Sequence, residues 1–395
     1  MRDYRYYQSV FAGIPKPFAF VDLDLLEENA EQIVLQSNEK KIRIASKSLR
    51  SVSILKRLLQ LDDSFSAIMC YSAQEALHLC AAGFDDLLMG YPIWEESWIE
   101  ALCSEIANGR TITLMIDSPA HVQHLERIAR GHQFRIPVCL DIDMSSDWLG
   151  FHFGVWRSSI RSLDTALTVA RQVASSEYLY LDGIMGYEAQ IAGVGDRYPR
   201  HFLKNTVIRM LKQQSVRQIA ERRTMIVQAV RELGLTPRFV NGGGTGSLHL
   251  TGKENAVTEV TAGSGFYSPG LFDYFQDFRF HPAAGFALEI VRKPASHIYT
   301  CAGGGYIASG SAGKDRLPKP YLPKEARLLM NEGAGEVQTP LLYRGQETLE
   351  LGDPVFFRHA KAGELCERFT RLYCVSGGKI VEEATTYRGD GLCSL

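Results

Sequence analysis

The chain has 395 residues, 45% of them apolar and 22% charged, which is enough for one large domain and a smaller one, each with its own core. A formal net charge of −2 gives no indication of a nucleic-acid or membrane partner. Residues 1–7 are polar and aromatic and resemble neither a signal peptide nor a membrane span, so we expect a cytoplasmic protein. The eight cysteines form no CxxC pair, and we expect free thiols in a reducing compartment.

Short apolar runs of strand length alternate with helical stretches along most of the chain. The predicted strands are 42–45, 66–69, 86–89, 112–116, 136–142, 180–185, 238–241 and 257–261. Eight strands that alternate with helices favour an α/β protein with a parallel (β/α)8 barrel. In such a barrel the catalytic groups gather at the carboxyl ends of the strands.

A long amphipathic helix is predicted between the sixth and seventh strands. Its apolar positions recur at helical spacing and are Ile208, Leu211, Ile219, Ile226, Val230 and Leu233. The other face is basic and consists of Arg209, Lys212, Arg217, Arg222, Arg223 and Arg231. We interpret this face as the solvated outside of a barrel helix and not as a nucleic-acid surface.

Beyond about residue 273 the pattern changes to short strands without a convincing long helix. The predicted strands are 287–291, 297–301, 337–343, 354–358, 369–375 and 380–386, with a hairpin turn at 376–378. Segment 309–323 is expected to be loop. We therefore divide the chain into an N-terminal extension (1–16), the barrel (17–275) and a C-terminal β-domain (276–395). The extension could pack on either domain.

Two features separated by about two hundred positions suggest the chemistry. Lys47 ends the first barrel strand, and the seventh strand runs into Asn241-Gly-Gly-Gly-Thr-Gly-Ser247. A strand-end lysine can form an imine with an aldehyde, and a glycine-rich turn before a helix can hold a phosphate. Each feature alone is weak, but together they fit pyridoxal phosphate, which needs one amine and one anion cradle.

The ordered set of motifs resembles the fold-type III pyridoxal-phosphate enzymes, the alanine racemase-like superfamily, and within it the D-threonine aldolase and D-serine dehydratase branch. The segments that carry the resemblance are PFAFVDLD at 17–24, RIASK at 43–47, GIMGY at 183–187, GGGTG at 242–246 and His359-Ala360. They span nearly the whole chain in order. The resemblance also implies a homodimer whose β-domain covers the partner's barrel mouth.

The resemblance implies a role for each matching position in holding the cofactor. Lys47 corresponds to the Schiff-base lysine and Tyr187 to the ring that stacks on the pyridine. The phosphate cradle corresponds to Gly243, Gly244, Thr245 and Ser247. For Tyr187 the alternative is a packed barrel tyrosine.

Three further positions correspond to contacts with the phenolic oxygen, the pyridine nitrogen and the phosphate, and the first two depart from the racemase pattern. Where racemases place an arginine near the phenolic oxygen, this chain offers His152 with Arg157 close behind. Thr261 stands where racemases place an arginine beside the pyridine nitrogen, and its presence permits a stronger electron sink suited to elimination or retro-aldol cleavage. Tyr267, which follows soon after, could reach the phosphate.

The largest departure lies in the β-domain. Members of this branch bind a metal through a histidine and an aspartate or cysteine two residues on, whereas this chain reads His359-Ala-Lys361. Lysine is a poor metal ligand at neutral pH. Either no metal is bound and Lys361 supplies the positive charge, or His359 binds a divalent metal with Glu364 or Cys366.

We therefore expect a pyridoxal-phosphate-dependent lyase that acts on a D-3-hydroxy amino acid by retro-aldol cleavage or dehydration, through a Lys47 Schiff base. His359 and Lys361 would act on the substrate hydroxyl. One alternative is an amino-acid racemase on the same scaffold, for which no second acid or base is evident. Another, of a different class, is a non-catalytic carrier of the cofactor, although such carriers resemble the barrel alone.

Overall fold

The computed structural model describes residues 2–132, 134–148, 150–311 and 313–394. Its strands are β1 (Phe18–Asp22), β2 (Lys41–Ala45), β3 (Phe65–Cys70), β4 (Leu87–Met89), β5 (Ile112–Ile116), β6 (Ile136–Asp141), β7 (Ser146–Trp148), β8 (Phe151–Phe153), β9 (Leu179–Gly186), β10 (Phe239–Gly242), β11 (Glu259–Ala262), β12 (Ala284–Ala295), β13 (Ile298–Ala302), β14 (Lys319–Leu322), β15 (Arg327–Leu328), β16 (Gln338–Leu342), β17 (Pro354–Arg358), β18 (Arg371–Ser376) and β19 (Lys379–Thr385).

The helices lie mostly between the barrel strands. They are α1 (Tyr4–Val10), α2 (Leu23–Ser37), α3 (Val52–Leu61), α4 (Ala73–Ala81), α5 (Glu96–Ala107), α6 (Pro119–Ala129), α7 (Leu163–Ser175), α8 (Ala189–Ala192), α9 (Phe202–Glu232), α10 (Leu248–Thr251) and α11 (Ser264–Tyr267). Short 3₁₀ turns occur at Ser46–Ser48, Gly270–Tyr274, Lys314–Arg316 and Ala362–Glu367.

Eight parallel strands close into a barrel in the order β2, β3, β4, β5, β6, β9, β10 and β11, and β11 pairs back onto β2. Each strand predicted for the barrel is present. The prediction succeeds because these strands are buried on both faces, which produces nearly continuous apolar runs. The predicted barrel with an added β-rich part is confirmed.

The barrel interior is packed with side chains. A separate apolar cluster inside it consists of Leu88, Met115, Cys139, Met185 and Phe239. A fully buried ion pair joins β2 to β11, with 2.8 Å between Arg43 Nε and Glu259 Oε1. The barrel is therefore a solid core, and any site must lie at its open carboxyl end.

The second sheet has nine strands and contains all six strands predicted for the C-terminal part. Strand β1 also belongs to it, between β12 (antiparallel) and β18 (parallel). The loop predicted at 309–323 is partly wrong, because β14 pairs with β17 there. The chain thus begins in this sheet and then builds the barrel.

The N-terminal helix α1 packs on the β-sheet. Tyr4 Oη donates a hydrogen bond to the carbonyl oxygen of Pro354 at 3.1 Å, and the rings of Tyr7 and Phe356 are 5.7 Å apart. The N-terminal residues therefore pack on the sheet, which is one of the two placements that the sequence left open. The proposed domain boundaries stay a prediction.

The long helix α9 runs as predicted, but its basic face is not uniformly solvated. Arg223 is 0% exposed and Lys212 is 8% exposed, so the prediction of an outer solvated face is wrong for both. Each is buried with carboxylates, as buried charges require. Within the described parts of the chain, no helix combines the length and apolar character needed to cross a membrane.

Candidate active site at the barrel mouth

Lys47 lies in the 3₁₀ turn Ser46–Ser48 directly after β2, at the carboxyl end of the barrel. The turn is anchored by Ser46 Oγ, which donates to the carbonyl oxygen of Met69 at 2.8 Å. The Lys47 side chain is exposed, and its Nζ donates a hydrogen bond to Tyr91 Oη at 3.0 Å. Tyr91, which follows β4, was not among the predicted site residues.

Arg157 approaches the same place from the loop after β8. Its guanidinium carbon is 5.0 Å from the ring centre of Tyr91 and 5.8 Å from that of Tyr187. An ion pair with Asp141 at 2.9 Å and a hydrogen bond to the Gly90 carbonyl at 2.6 Å hold it there. Burial raises the pKa of Asp141 to about 6, although Arg157 opposes the shift.

His152, the other residue predicted near the phenolic oxygen, lies in the β7–β8 hairpin. Its Nδ1 is 2.8 Å from Asp147 Oδ1, and its ring stacks on Trp156 with centres 3.9 Å apart. The structure therefore brings Arg157 next to Tyr91 and Lys47, while His152 is engaged within its own hairpin.

The glycine loop, residues 242–247, lies at the end of β10. Gly243 has a φ of +85°, which strains any other residue. A side chain on Gly244 would lie 2.9 Å from the Tyr187 ring, so the loop packs directly against that tyrosine. Thr245 Oγ1 accepts a hydrogen bond from the Gly265 amide at 3.1 Å, which ties the loop to the turn after β11.

A buried network supports the glycine loop from behind. Ser247 Oγ accepts a hydrogen bond from the Gly244 amide at 3.1 Å and donates to Glu188 Oε1 at 2.9 Å. Arg223 Nη2 reaches Glu188 Oε2 at 2.9 Å, and the Thr251 hydroxyl also donates to Glu188. Both charged side chains of the pair are 0% exposed.

Within this network the Ser247 hydroxyl is directed at Glu188, and its place in the phosphate cradle stays a prediction. Neither Glu188 nor Arg223 was among the predicted site residues. The available signal was a glutamate next to Tyr187 at the end of an apolar strand, where an unpaired charge is costly.

The side chains of two other predicted cofactor contacts have hydrogen-bond partners within the protein. The Thr261 hydroxyl lies 2.9 Å from Nδ2 and 3.0 Å from Oδ1 of Asn241, at the carboxyl end of β11. The Tyr267 ring is fully buried and its hydroxyl donates to the Leu49 carbonyl at 3.3 Å, so its contact with the phosphate stays a prediction.

The loop of residues 359–367, which follows β17 in the second sheet, packs directly on the turn that carries Lys47. A side chain on Gly363 would lie 2.3 Å from the Lys47 carbonyl oxygen. Arg50 joins the two segments, because its Nε donates to that carbonyl at 2.9 Å and its guanidinium pairs with Glu367. The structure therefore brings the predicted His359–Lys361 segment to the side of Lys47.

His359 is 4% exposed, and neither ring nitrogen has a hydrogen-bond partner among the described residues. The Ala284 backbone lies near the ring without hydrogen-bond geometry to either nitrogen. Burial, reinforced by the positive charge of Arg358, lowers the pKa of His359 to about 3. The ring is therefore neutral near pH 7, with one donor and one acceptor unsatisfied.

Lys361 is half-buried, and its Nζ lies 3.5 Å from Ser309 Oγ. Burial lowers the pKa of Lys361, with further lowering from Arg316 and Lys47 that Glu364 opposes. Both carboxylate oxygens of Glu364 accept from the Ser309 amide, at 3.0 and 3.1 Å.

Cys366, the other candidate metal ligand, is buried, and its thiol donates to the Leu49 carbonyl at 3.1 Å. Burial raises the pKa of this thiol to about 12. Within the part of the chain that the structure describes, His, Cys, Asp and Glu side chains form no group of three that could hold a metal ion.

A cavity of about 470 Å³ lies along the 359–367 loop. Its lining includes His359 and Lys361 together with Tyr306 and Arg368. The guanidinium of Arg368 is 6.0 Å from the Tyr306 ring centre, and neither it nor Lys361 forms an ion pair within the described residues. The cavity wall thus carries four cations (Arg50, Lys361, Arg368 and Arg388), two carboxylates (Glu364 and Glu367) and an unsatisfied histidine.

Residues 21–269 match the family described as "Alanine racemase, N-terminal domain". Among curated proteins, a 3-hydroxy-D-aspartate aldolase of Paracoccus denitrificans (strain Pd 1222) is 24% identical over 253 residues, which cover 64% of this chain. The match spans 60% of that relative's own length.

Two solved structures share the fold over nearly all of their length. D-threonine aldolase from Filomicrobium marinum has a TM-score of 0.80 and 18% identity, with 95% of this chain and 96% of that chain covered. D-threo-3-hydroxyaspartate dehydratase from Delftia sp. HT23 has a TM-score of 0.73 and 18% identity, with 95% and 98% covered. The family match extends over most of this chain, which therefore belongs to the alanine racemase N-terminal domain family.

Proposed function

We propose that this protein is a pyridoxal-phosphate-dependent lyase that acts on a D-3-hydroxy amino acid by retro-aldol cleavage or dehydration. The main support is that the Lys47 amine is exposed at the barrel mouth beside the 359–367 loop, with His359 unsatisfied in that loop. The names of the relatives, two aldolases and a dehydratase of hydroxy amino acids, support the same class of reaction.

The residues at the mouth fit the cofactor. Lys47 offers an accessible amine, the glycine loop offers a tightly packed backbone at the start of α10, and Tyr187 lies against that loop. Arg157 adds a guanidinium held by Asp141. Bound there, pyridoxal phosphate would supply an electron sink that stabilises negative charge on the substrate's α carbon.

The surrounding residues have roles that follow from their charges. Lys47 would anchor the cofactor covalently and later move protons. Thr261, hydrogen-bonded to a neutral amide at the end of β11, brings no positive charge to the position predicted for the pyridine nitrogen. This arrangement favours the stronger electron sink that C–C or C–O cleavage needs.

His359 and Lys361 would act on the substrate hydroxyl. The ammonium of Lys361 can polarise that oxygen, and neutral His359 can accept a hydrogen bond from the hydroxyl. The donor set at this loop does not fit a divalent metal well, because Glu364 and Cys366 bind backbone groups elsewhere and lysine is a poor ligand. We therefore propose that the Lys361 charge takes the place of a metal.

The cavity along the 359–367 loop favours a substrate with a second acidic group. Its wall has four cations against two carboxylates, and two of the cations, Lys361 and Arg368, form no ion pair within the described residues, so a carboxylate at the 3-position could pair with them. Such a group is present in 3-hydroxyaspartate, after which the Paracoccus aldolase and the Delftia dehydratase are named.

We also propose a homodimer. Large apolar side chains are exposed after the carboxyl ends of β6 and β9, namely Trp148, Phe151, Trp156, Phe202 and Leu203. Single exposed apolar residues are common, but five that follow the carboxyl ends of two neighbouring barrel strands fit a surface that a second copy covers. Light scattering of the purified protein would give the molar mass directly.

Product analysis tests the proposed reaction. The purified protein, loaded with pyridoxal phosphate, is incubated with D-3-hydroxyaspartate, D-threonine, D-serine and D-alanine, with and without chelator. We expect glycine plus an aldehyde, or an oxo acid plus ammonia, from the hydroxy amino acids. Interconversion of D- and L-alanine without cleavage would indicate a racemase, and cofactor binding without any product would indicate a carrier.

A further inference from the structure

Tyr91 is the only side chain that the described structure hydrogen-bonds to the Lys47 amine, with 3.0 Å between Nζ and Oη. It follows β4 directly, so the strand fixes its position at the barrel mouth. The guanidinium of Arg157 lies 5.0 Å from its ring centre and is itself held by the Gly90 carbonyl, one residue before Tyr91. The phenol therefore stands between two cations.

The charges around this phenol favour its ionised form. Burial alone would raise the pKa of Tyr91, but the positive charges of Lys47 and Arg157 outweigh burial and lower it. Lys361 and the neutral Tyr187 phenol also face this group. Two cations thus contact a phenol that can release its proton more easily than an ordinary tyrosine.

The reaction needs a proton source beside Lys47. In a retro-aldol cleavage the hydroxyl proton leaves to a base, the bond between the α and β carbons breaks, and the α carbon takes up a proton to give glycine. The Lys47 amine that the substrate would displace from the cofactor is released uncharged, so it needs a proton before it can protonate the α carbon.

We propose that Tyr91 is the proton partner of Lys47 in the reaction proposed above, on which this inference rests. The phenol passes its proton to the uncharged Lys47 amine, which then protonates the α carbon and is again free to recapture the cofactor. The phenolate, stabilised by Arg157, then recovers a proton from solvent, which has received the hydroxyl proton. The proton count returns to its starting value, and no further reactant is needed.

Exchange of glycine α-protons in D₂O measures this transfer without any C–C cleavage. We expect Tyr91→Phe, loaded with pyridoxal phosphate, to exchange these protons about a hundredfold more slowly than the wild type, as loss of general acid–base catalysis typically does. Tyr180→Phe is the matched control, because Tyr180 is also partly exposed but lies on the outer side of β9 near Arg135. Equal exchange by Tyr91→Phe and wild type would overturn the inference while the proposed function stands.

Cofactor capture by the cofactor-free protein provides a readout that does not depend on turnover. Capture requires an uncharged Lys47 amine, and the Tyr91 oxygen stabilises the charged form through the 3.0 Å hydrogen bond. We expect Tyr91→Phe to capture pyridoxal phosphate about threefold faster than the wild type at one fixed pH, and visible absorption measures the rate. Equal capture rates would contradict the coupling.

The two measurements separate this inference from the proposed function. If the wild type exchanges glycine protons but cleaves no hydroxy amino acid, the lyase proposal fails, and slower exchange in Tyr91→Phe still supports the proton partnership. If the wild type exchanges no protons at all, the capture rates alone decide whether Tyr91 and Lys47 are coupled.

Discussion

The two loops that flank Lys47 differ in how far the protein satisfies their polar groups. The glycine loop is supported from behind by Ser247, Glu188 and Arg223, with both charged groups fully buried and paired. The 359–367 loop instead has a histidine with two unsatisfied nitrogens and a lysine without an ion pair among the described residues. A satisfied loop suits a cofactor held through every cycle, whereas an unsatisfied loop suits a substrate that comes and goes.

Removal of the amine between the loops should have the largest effect. Lys47→Ala should abolish both activity and the visible absorption of the bound cofactor, because no other lysine lies at this strand end. Absorption spectra and product assays measure both losses. Lys56→Ala, an exposed lysine on the following helix, is the control, and its spectrum should match that of the wild type.

Disruption of the network behind the glycine loop should affect stability and cofactor retention together. Arg223→Met leaves the Glu188 carboxylate buried without its cation, which typically costs about 3–5 kcal/mol of unfolding free energy. Urea unfolding and dialysis measure stability and retention. Arg217→Met, on the exposed side of the same helix, should change neither, and full cofactor retention in Arg223→Met would show that the network does not support the loop.

Changes in the 359–367 loop should impair turnover but not cofactor binding. Lys361→Met removes the charge that we propose acts on the substrate hydroxyl, and such losses typically lower the rate by about two to three powers of ten. Lys379→Met, an exposed lysine on β19, serves as the control in the same rate assay. Chelator should leave the wild type active, and one bound metal ion per chain with inactivation by chelator would contradict this account.

The free energy of unfolding should depend on pH through a buried glutamate near the Lys47 turn. Glu75 is buried on α4 and accepts hydrogen bonds from the Tyr71 amide at 2.7 Å and from Tyr387 Oη at 2.9 Å. Burial, only partly offset by hydrogen bonds that include Ser46, raises the pKa of Glu75 to about 7. The folded protein thus keeps a proton that the unfolded chain has already lost above about pH 4.5.

The stability contributed by this proton is fully present at low pH and is lost as the pH rises through about 7. Glu75→Gln stays uncharged, so from pH 5 to pH 8 the wild type should lose roughly 2–3 kcal/mol more unfolding free energy than this variant. Urea unfolding at the two pH values measures the difference. Exposed Glu31→Gln should behave as the wild type, and parallel curves for Glu75→Gln would refute the buried-proton explanation.

The sequence predicted the barrel because local runs of buried residues identify parallel strands. It could not place β1, whose sequence FAFVD looks like a barrel strand, because its pairing with β12 and β18 depends on residues more than 250 positions away. Lys47 and the glycine loop were predictable as contiguous motifs, although their surroundings were not.

The contacts that complete the site join distant residues, and this is why the sequence analysis missed them. Tyr91 is 44 positions from Lys47, and Arg223 is 35 positions from Glu188. Arg223 also has the helical spacing of a solvated basic face, and only the packing of α9 on the glycine loop reveals a buried pair. Helical periodicity predicts on which face of the helix a residue lies, but it does not predict which residue neutralises its charge.

The most direct test of the account is to locate the cofactor on the chain. The purified protein is loaded with pyridoxal phosphate, reduced with borohydride and digested, and the modified peptide is identified by mass spectrometry. We expect a single modified peptide, and it should contain Lys47. A cofactor fixed on another lysine, or a protein that traps none, would contradict the assignment of Lys47 as the cofactor-binding residue.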